Sequence, residues 1–297
     1  MNTPSVTVLI RTKNEAQFIG EALRLITHQR RKPDEIIVVD SGSTDATVEL
    51  VQQWSSVKLM HMPAHEFTFG RSLNLGFQAA TSDIVVSISA HAFPTNSDWL
   101  ANLVQPFANP HVAGVYGKQL PQPDAWPPVR RNYLGYYGEQ PLIQTNVNQE
   151  RDRTFSNANS AIRRSCWEKR PFDELLTAAE DHEWAWAMLR LGYHIVYEPQ
   201  AGVYHSHNES LLKLSHRSYR ETLATNVLNQ RELSLARGLI NWKNWVIADI
   251  KFILTTQPDL KWLLWVPFYR AAEAYGCLRA SSWKALVKVK LPVIQVQ

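Results

Sequence analysis

Runs of aliphatic residues alternate with amphipathic stretches along the first part of the chain. Val6–Ile10, Glu35–Val39 and Ile84–Ile88 are nearly continuous apolar runs, as strands buried on both faces of a sheet are. Asn14–His28 places its apolar residues at helical spacing. The pattern also predicts helices over Gly70–Ala80, Asn96–Phe107 and Ala178–Leu191, and strands over Val57–His61, Val112–Tyr116, Ser160–Arg163 and His194–Tyr197. Repeated strand–helix units predict an α/β fold with a mostly parallel sheet sandwiched by helices.

Two segments depart from this alternation. Pro121–Asn148 is rich in Pro, Gln, Asn and Tyr without a period, which predicts a long loop. From Ser210 the pattern is helical nearly to the end, with breaks expected near Gly238, Pro258, Gly276 and Pro292. Thr44 is expected to cap the helix that carries Val48 and Val51. We therefore divide the chain into a domain over 1–208 and a helical C-terminal extension over 209–297.

Composition places the chain among globular proteins. Of its 297 residues 45% are hydrophobic and 20% are charged. Its two cysteines build neither a disulfide framework nor a zinc site, which favours a reducing compartment. The polar start does not resemble a secretory signal, and the apolar run Trp262–Tyr269 is shorter than the roughly 20 residues of a membrane span. We expect a cytoplasmic protein.

The C-terminal extension differs from the rest in charge. The segment from Lys243 to the C-terminus contains eight basic and three acidic residues. The segment from Trp242 contains five of the 11 tryptophans. The basic residues are Lys243, Lys251, Lys261, Arg270, Arg279, Lys284, Lys288 and Lys290. Two tryptophan pairs, Trp242 with Trp245 and Trp262 with Trp265, have helical spacing. This composition predicts peripheral attachment to an anionic membrane surface, on the inner face of the cell membrane. The alternative is that the tryptophans pack against the catalytic domain or against a second subunit in a homodimer.

Ligands of open parallel sheets bind where the strands end, so the residues after each predicted strand were compared with known turns. Arg11-Thr12-Lys13-Asn14-Glu15 follows the first strand and contains no glycine. A dinucleotide-binding fold needs G-x-G-x-x-G at this turn and a P-loop needs G-x-x-x-x-G-K-[ST]. The turn therefore disfavours both a dehydrogenase and a P-loop enzyme.

Six motifs occur along the chain in the order in which a known protein family has them. They are the R-T-K-N-E turn (11–15), V-V-D-S-G-S-T-D (38–45), G-R-S-L-N-L-G (70–76), N-S-D-W-L (96–100), F-S-N-A-N-S (155–160) and the Glu180-Asp181 pair. Over about residues 5–207 the chain resembles the family 2 glycosyltransferases. The resemblance implies a GT-A fold and transfer of a sugar from a nucleotide-sugar donor with inversion at the anomeric carbon.

The donor nucleotide is expected at the first two strand ends. Thr12 and Asp40 stand at neighbouring strand ends and could hydrogen-bond the edge of the base, with Glu15 assisting. Lys13 and Arg71 could face the diphosphate. The alternative for Asp40 is a turn-forming role, which is the role expected of Asp45. The alternative for Lys13 and Arg71 is that they are solvated charges at the surface.

The chain departs from the family pattern after the strand Ile84–Ile88. Most members carry Asp-x-Asp there, holding Mg²⁺ or Mn²⁺ against the diphosphate, whereas this sequence has Ser89-Ala90-His91. His91 could bind Mn²⁺ better than Mg²⁺, which prefers oxygen, or could neutralise phosphate as a cation. His205 and His207 follow the last strand at the i, i+2 spacing that puts both rings on one side. They could be further metal or diphosphate ligands, or a surface pair without a ligand.

Inverting transfer needs a carboxylate to take the proton of the acceptor hydroxyl. By resemblance Asp181 is this base and Glu180 is its partner, although acids are also favoured in any first helical turn. Asn157 and Asn159 could bind sugar hydroxyls, or could only form the loop.

These observations predict an inverting glycosyltransferase that builds a surface polysaccharide on a glycan or lipid-linked acceptor, without a nucleic-acid partner. The Ser-Ala-His-Ala segment is similar to that of members described as rhamnosyltransferases, which makes dTDP-rhamnose the expected donor. The alternative is a non-catalytic, membrane-associated scaffold that binds nucleotide sugars, but such a protein has no use for Asp181 beside the donor pocket.

Overall fold

Nine strands of the described residues form one sheet. The computed structural model describes residues 4–147, 155–229, 234–256 and 259–280. The strands are β1 (Val6–Thr12), β2 (Glu35–Asp40), β3 (Val57–His61), β4 (Ile84–Ser89), β5 (Phe93–Pro94), β6 (Val112–Leu120), β7 (Leu142–Gln144), β8 (Asn159–Arg163) and β9 (His194–Tyr204). Their order is β3-β2-β1-β4-β8-β6-β9-β5, with β7 also on β9. The α/β class is confirmed.

The sheet is parallel in its first part and mixed in its second. β1 pairs in parallel with β2 and β4, and β2 with β3. β8 then runs antiparallel to both β4 and β6, while β6 and β9 are parallel. Because β1, β2 and β4 are parallel, their carboxyl ends meet at one edge of the sheet, where the turns singled out above lie.

The helices of the described residues are α1 (Ile19–Thr27), α2 (Thr47–Gln52), α3 (Phe69–Ala79), α4 (Trp99–Val104), α5 (Pro127–Tyr136), α6 (Arg164–Lys169), α7 (Glu180–Arg190), α8 (Leu211–Asn229), α9 (Leu235–Thr256) and α10 (Lys261–Arg279). Helices α1 and α4 cover one face of the sheet, and α3 and α7 cover the other. Val8 and Ile10 of β1 pack on the face of α1 and α4, with Trp99. Leu9, between them, packs on the opposite face with Phe77 of α3 and with α7. The alternation of buried side chains along β1 thus joins two hydrophobic cores.

Two boundaries near the first turns differ from the prediction. The first helix begins at Ile19 rather than Asn14, because Asn14 has a positive φ of 55° and its side-chain oxygen accepts the backbone N–H of Thr44. Thr44 is therefore not a helix cap. The second helix begins at Thr47, and the carboxylate of Asp45 accepts the N–H of Thr47. Asp45 therefore has the turn-forming role expected of it.

The segment predicted as a loop over Pro121–Asn148 contains α5 and β7. Pro127 and Pro128 open the helix in its first turn, where a missing N–H costs no hydrogen bond. The last strand also passes Pro199, the residue expected to end it. At Pro199 the register between β9 and β6 is irregular, and the residue lies between the stretches of β9 that pair with β7 and with β5. No regular ladder therefore requires an N–H donor at this position.

The chain divides into two compact units. One contains the residues up to Ala125, Asn132–Leu176 and Glu180–His207; the other contains Trp126–Arg131, Thr177–Ala179 and the residues from Asn208 on. A domain boundary at residue 208 stays a proposal. No helix among the described residues is long and apolar enough to cross a membrane.

In the second unit the glycines expected to break helices lie inside them. A Cβ on Gly276 of α10 would lie 2.3 Å from the carbonyl oxygen of Ser215 in α8, and one on Gly238 of α9 would meet Leu278. The glycines therefore allow close packing of helices. The breaks expected at Pro258 and Pro292 lie outside the described residues.

Three of the four paired tryptophans are engaged within this unit. Trp242 donates its ring N–H to the carbonyl of Pro267, Trp262 packs on Trp126, and Trp245 faces the guanidinium of Arg270. Trp265 is 41% exposed. These three rings are thus engaged by residues of their own unit, and packing against the catalytic domain or a second subunit stays a prediction. Lys284, Lys288 and Lys290 lie outside the described residues.

Candidate active site

Three imidazoles cluster at the edge where the parallel strands end. His91 follows β4, and His205 and His207 follow β9; one ring nitrogen from each lies within 4.8 Å of the others. The rings of His91 and His205 are stacked with centroids 5.0 Å apart, and the ring of His207 is edge-on to both. The structure thus brings together the histidines that the sequence placed at two distant strand ends.

Two acceptors orient the stacked pair. Nδ1 of His205 lies 2.8 Å from Oε1 of Gln119, an amide oxygen that can only accept, so His205 donates from Nδ1. Nδ1 of His91 lies 2.9 Å from a carboxylate oxygen of Glu15, which likewise makes it the donor. The hydroxyl of Ser89 lies 3.2 Å from Nε2 of His91. With Nδ1 donating in both rings, Nε2 is the nitrogen of each ring that can accept a proton or bind a metal ion.

The facing nitrogens fit a shared cation. Nε2 of His91 and Nε2 of His205 are 3.2 Å apart, and two lone pairs at that distance repel unless a proton or metal ion lies between them. Two nitrogen ligands of one tetrahedral ion are about 3.4 Å apart when each is about 2.1 Å from the metal. Imidazole with a hydrogen-bonded outer nitrogen is a common ligand arrangement for divalent transition metals and a poor one for Mg²⁺. The cluster can therefore hold a divalent metal.

The carboxylate pair lies at the start of α7. Oδ2 of Asp181 accepts the backbone N–H of Asn157 at 3.1 Å, and Oδ1 accepts the N–H of His182. The loop of Asn157 is itself joined to β4, because Ser87 donates to the carbonyl of Asn157 and the N–H of Ser89 to that of Ala158. Asp181 is thus tied through one loop to the strand that leads into His91.

Glu180 is buried, whereas its neighbour Asp181 is partly exposed. Burial is the main cause that raises the pKa of Glu180 to about 7, the charge of Asp181 adds to it, and Arg11 opposes it. Burial also lowers the pKa of Arg11, against the attraction of both carboxylates. The Arg11 guanidinium lies over the ring of Phe69, 5.0 Å from its centroid. The pair is one buried, protonatable carboxyl beside one more accessible carboxylate.

Several buried polar atoms at this edge have no partner among the described residues. They are Oγ1 of Thr12, Oγ of Ser41, Nδ2 of Asn157 and Nε of Arg11. Buried polar groups are normally hydrogen-bonded, so such a concentration at strand ends favours a site that a polar ligand completes. Thr12 and Asn157 thus remain available for the ligand roles expected of them.

Asp40 and Glu15 are already engaged. The carboxylate of Asp40 accepts the N–H groups of Gly42 and Ser43 and the hydroxyl of Ser43, so it builds its own turn, in which Gly42 has a φ of 82°. Its turn role is therefore observed, and contact with the base stays a prediction. Glu15 contacts His91, which places it at the histidine cluster.

The two cations expected at the diphosphate lie at the surface. Arg71 pairs with Glu66 at 2.5 Å and its side chain is half-exposed, while Lys13 is exposed. A diphosphate role for either residue stays a prediction.

The structure contradicts a sugar-binding role for Asn159. Its side chain is fully buried, its oxygen accepts the ring N–H of Trp99, and its nitrogen donates to the carbonyls of Lys118 and Ala201. Every polar atom of the amide is used to join β8 to β6, β9 and α4. The motif that suggested Asn159 also contains Asn157, whose side-chain oxygen accepts the hydroxyl of Ser160 and whose amide acts to lower the pKa of Glu180; a sugar-binding role for Asn157 stays a prediction.

Two residues of the site were missed in the sequence. Arg11 carried a signal, because a charged residue at the end of an otherwise apolar strand is unusual. Gln119 carried none, because β6 runs four residues past its predicted end at Tyr116, to Leu120.

Comparisons with known proteins identify the family of the chain. The family described as "Glycosyl transferase family 2" matches residues 7–169. The O-antigen chain rhamnosyltransferase RfbN of Salmonella typhimurium is 29% identical over 296 residues, covering 95% of this chain and 91% of that protein. The O-antigen chain rhamnosyltransferase WbaN of Salmonella anatum is 30% identical over 295 residues, with the same shares.

Solved structures share the fold. The mannosyltransferase PcManGT from Pyrobaculum calidifontis, in complex with GDP-Man and Mn²⁺, has a TM-score of 0.66 at 21% identity, covering 98% of this chain and 89% of that one. Residues 1–349 of TarS from Staphylococcus aureus give a TM-score of 0.57 at 15% identity, covering 95% of this chain and 91% of that one. With the family match spanning more than half of its residues, this chain belongs to glycosyl transferase family 2 and is a glycosyltransferase of GT-A fold.

Proposed function

We propose that this glycosyltransferase moves rhamnose, with inversion, from dTDP-rhamnose to a glycan or lipid-linked acceptor during synthesis of a surface polysaccharide. The likeness to two O-antigen chain rhamnosyltransferases over 95% of the chain supports the sugar and the pathway class. The observation that carries the proposal is the joining of Asp181 to the histidine cluster through one loop and strand β4.

Asp181 is the proposed general base. Its two oxygens accept backbone N–H groups, which fixes the carboxylate while leaving each oxygen a second lone pair. The acceptor hydroxyl gives its proton to Asp181 as its oxygen bonds to the anomeric carbon. The bond from that carbon to the donor phosphate breaks on the opposite side, and the electron pair leaves with the nucleoside diphosphate.

The histidine cluster is proposed to receive the negative diphosphate. His91, His205 and His207 would hold a divalent metal, which when bound would stabilise charge on the leaving diphosphate. Glu15 and Gln119 fix the orientation of two of the rings. Thr12 and Asn157 offer unpaired polar atoms to the donor.

The proposal is tested by incubating the purified chain with dTDP-rhamnose, UDP-glucose, UDP-galactose or GDP-mannose and a soluble analogue of a lipid-linked acceptor. We expect the most transfer from dTDP-rhamnose, and NMR of the product should show an anomeric configuration opposite to that of the donor. Transfer from another donor alone would overturn the choice of sugar. Retention of configuration would overturn the role of Asp181.

A further inference from the structure

We propose that the exposed stripes of α9 and α10 bind an anionic lipid surface. The α9 stripe consists of Ile240, Ile247 and Leu254, and the α10 stripe consists of Leu264, Phe268 and Tyr275. These six side chains are between 54% and 79% exposed. The exposed side of a helix in a globular protein is normally polar, so two long apolar stripes indicate a surface that contacts another apolar phase.

Helical geometry makes each set a stripe. Ile240, Ile247 and Leu254 are seven residues apart, which is close to two turns, and the α10 residues follow at spacings of four and seven. The two helices run antiparallel, because Trp242 contacts Pro267 while Gly238 approaches Leu278. The exposed residues differ from the tryptophans suggested by the sequence, of which only Trp265 borders a stripe.

The exposed charges of the two helices are all basic. Lys243 and Lys251 lie on the α9 stripe between its apolar residues, and Arg237, Lys261 and Arg279 are also exposed. The two acids of these helices are turned away: Asp249 is fully buried and binds Arg131 and Arg270, and Glu273 pairs with Arg270. The α9 stripe thus combines apolar side chains with positive charge, whereas exposed Asp259 pairs with Lys261 at the start of α10, at 2.7 Å.

This chemistry favours an anionic bilayer over a second copy of the chain. A two-fold dimer through these stripes would bring the same lysines of both copies together, and like charges across an interface are unfavourable. Anionic headgroups instead attract them, by about 1 kcal/mol for each basic residue near the surface, while apolar side chains enter the acyl boundary. Lysine stems can extend toward the headgroups.

Only the benefit of such attachment rests on the proposed function, since a lipid-linked acceptor stays in the bilayer. The contact itself is tested by flotation of the full chain with phosphatidylglycerol-containing vesicles and with pure phosphatidylcholine vesicles. We expect flotation with the anionic vesicles at low salt and release at high salt.

The decisive variant is the double substitution Leu264→Gln/Phe268→Gln. Both side chains are more than 60% exposed, so the fold should be kept, and the vesicle partition coefficient should fall at least about tenfold. The control is Leu191→Gln, at a leucine that is 60% exposed and directly follows α7, which should float like the unchanged chain. Lys243→Glu/Lys251→Glu should abolish the preference for anionic lipid, whereas the charge-matched Lys32→Glu/Lys58→Glu should keep it.

Unchanged flotation of the Leu264→Gln/Phe268→Gln variant would overturn the proposal, because attachment would then lie elsewhere in the chain. A concentration-dependent dimer that this variant dissociates, without vesicle binding by the original chain, would identify a second copy as the occupant and also overturn it. Transfer to the soluble acceptor analogue should be unaffected by the variant. Failure of the proposed function therefore shows as loss of transfer in every chain, whatever the flotation result.

Discussion

Asp181 can be tested at the level of single atoms. Asp181→Asn keeps one side-chain oxygen to accept the N–H of Asn157, so the loop should hold its position while the proton acceptor is lost. We expect kcat to fall by about two to four orders of magnitude with donor affinity nearly unchanged. Steady-state kinetics and calorimetric titration of the donor measure the two effects. If Asp181→Asn kept nearly the original turnover while Glu180→Gln lost it, Glu180 rather than Asp181 would be the general base.

The buried carboxyl of Glu180 should make stability depend on pH. Its pKa in the folded chain, about 7, lies above the ordinary value of 4.5. A raised pKa contributes stability that is fully present below about pH 4.5 and is lost as the pH rises through 7. Glu180→Gln should remove this loss and be more stable than the original chain at pH 8, on the order of 3 kcal/mol. Urea unfolding across this range measures it.

A substitution of Arg11 tests the same pH dependence of stability in a second way. The positive charge of Arg11 lowers the pKa of Glu180, so Arg11→Gln should move the midpoint of the stability loss to higher pH. A midpoint that stays in place or moves to lower pH would show that another group causes the dependence.

Gln119 should act on metal affinity through His205. Gln119→Ala removes the acceptor that holds Nδ1 of that ring, and loss of such an outer partner costs about 10- to 100-fold in metal affinity. Titration calorimetry with Mn²⁺ and with Co²⁺ measures this independently of turnover. Gln200→Ala, at an exposed residue of β9, the strand that leads to His205, is the control. Equal affinities in the two variants would mean that Gln119 does not orient the ligand.

At the scale of elements, Gly276 is a contact between helices rather than a break. Gly276→Ala would force a methyl group to within 2.3 Å of a carbonyl oxygen in α8. We expect the free energy of unfolding to fall by about 1–3 kcal/mol, although alanine is the better helix former. Gly20→Ala in α1, where a Cβ meets nothing within 4 Å, should be neutral or stabilising by up to about 1 kcal/mol. Similar effects of both substitutions in chemical denaturation would contradict the packing role.

The elements that the sequence predicted well are those whose local pattern and burial agree. β1, β2 and β4 are apolar on both faces because they lie in the middle of the sheet, and their positions follow from the sequence. The predictions failed where tertiary contacts override local preference. α5 begins with two prolines, and β9 continues through Pro199 because the neighbouring strands are irregular there.

The site was predictable to the extent that strand ends define it. The topology that places His91 beside His205 joins residues more than one hundred positions apart, and only the order of strands brings β4 and β9 to one edge. The separate fates of Asn157 and Asn159 were not predictable. Whether an amide is used inside the fold depends on tertiary contacts, here on the ring N–H of Trp99 that reaches the oxygen of Asn159.

Nucleotide binding should stabilise the whole molecule. A ligand that binds only the folded chain adds about 2.7 kcal/mol at one hundred times its dissociation constant. We expect dTDP to raise the melting temperature more than UDP or GDP does, because the proposed donor carries thymidine. Differential scanning fluorimetry in the presence of Mn²⁺ measures this. A larger shift with GDP would favour a different nucleotide and leave the metal and base assignments untouched.

The grouping of three imidazoles without a carboxylate ligand among them has a thermodynamic consequence. Neutral imidazoles cancel none of a cation's charge, so a divalent ion held by them keeps most of it for a second, anionic partner. Affinity for the ion alone should then be modest and should rise when a diphosphate is present. Because coupling between two ligands is reciprocal, the nucleotide should gain from the ion the same factor that the ion gains from the nucleotide.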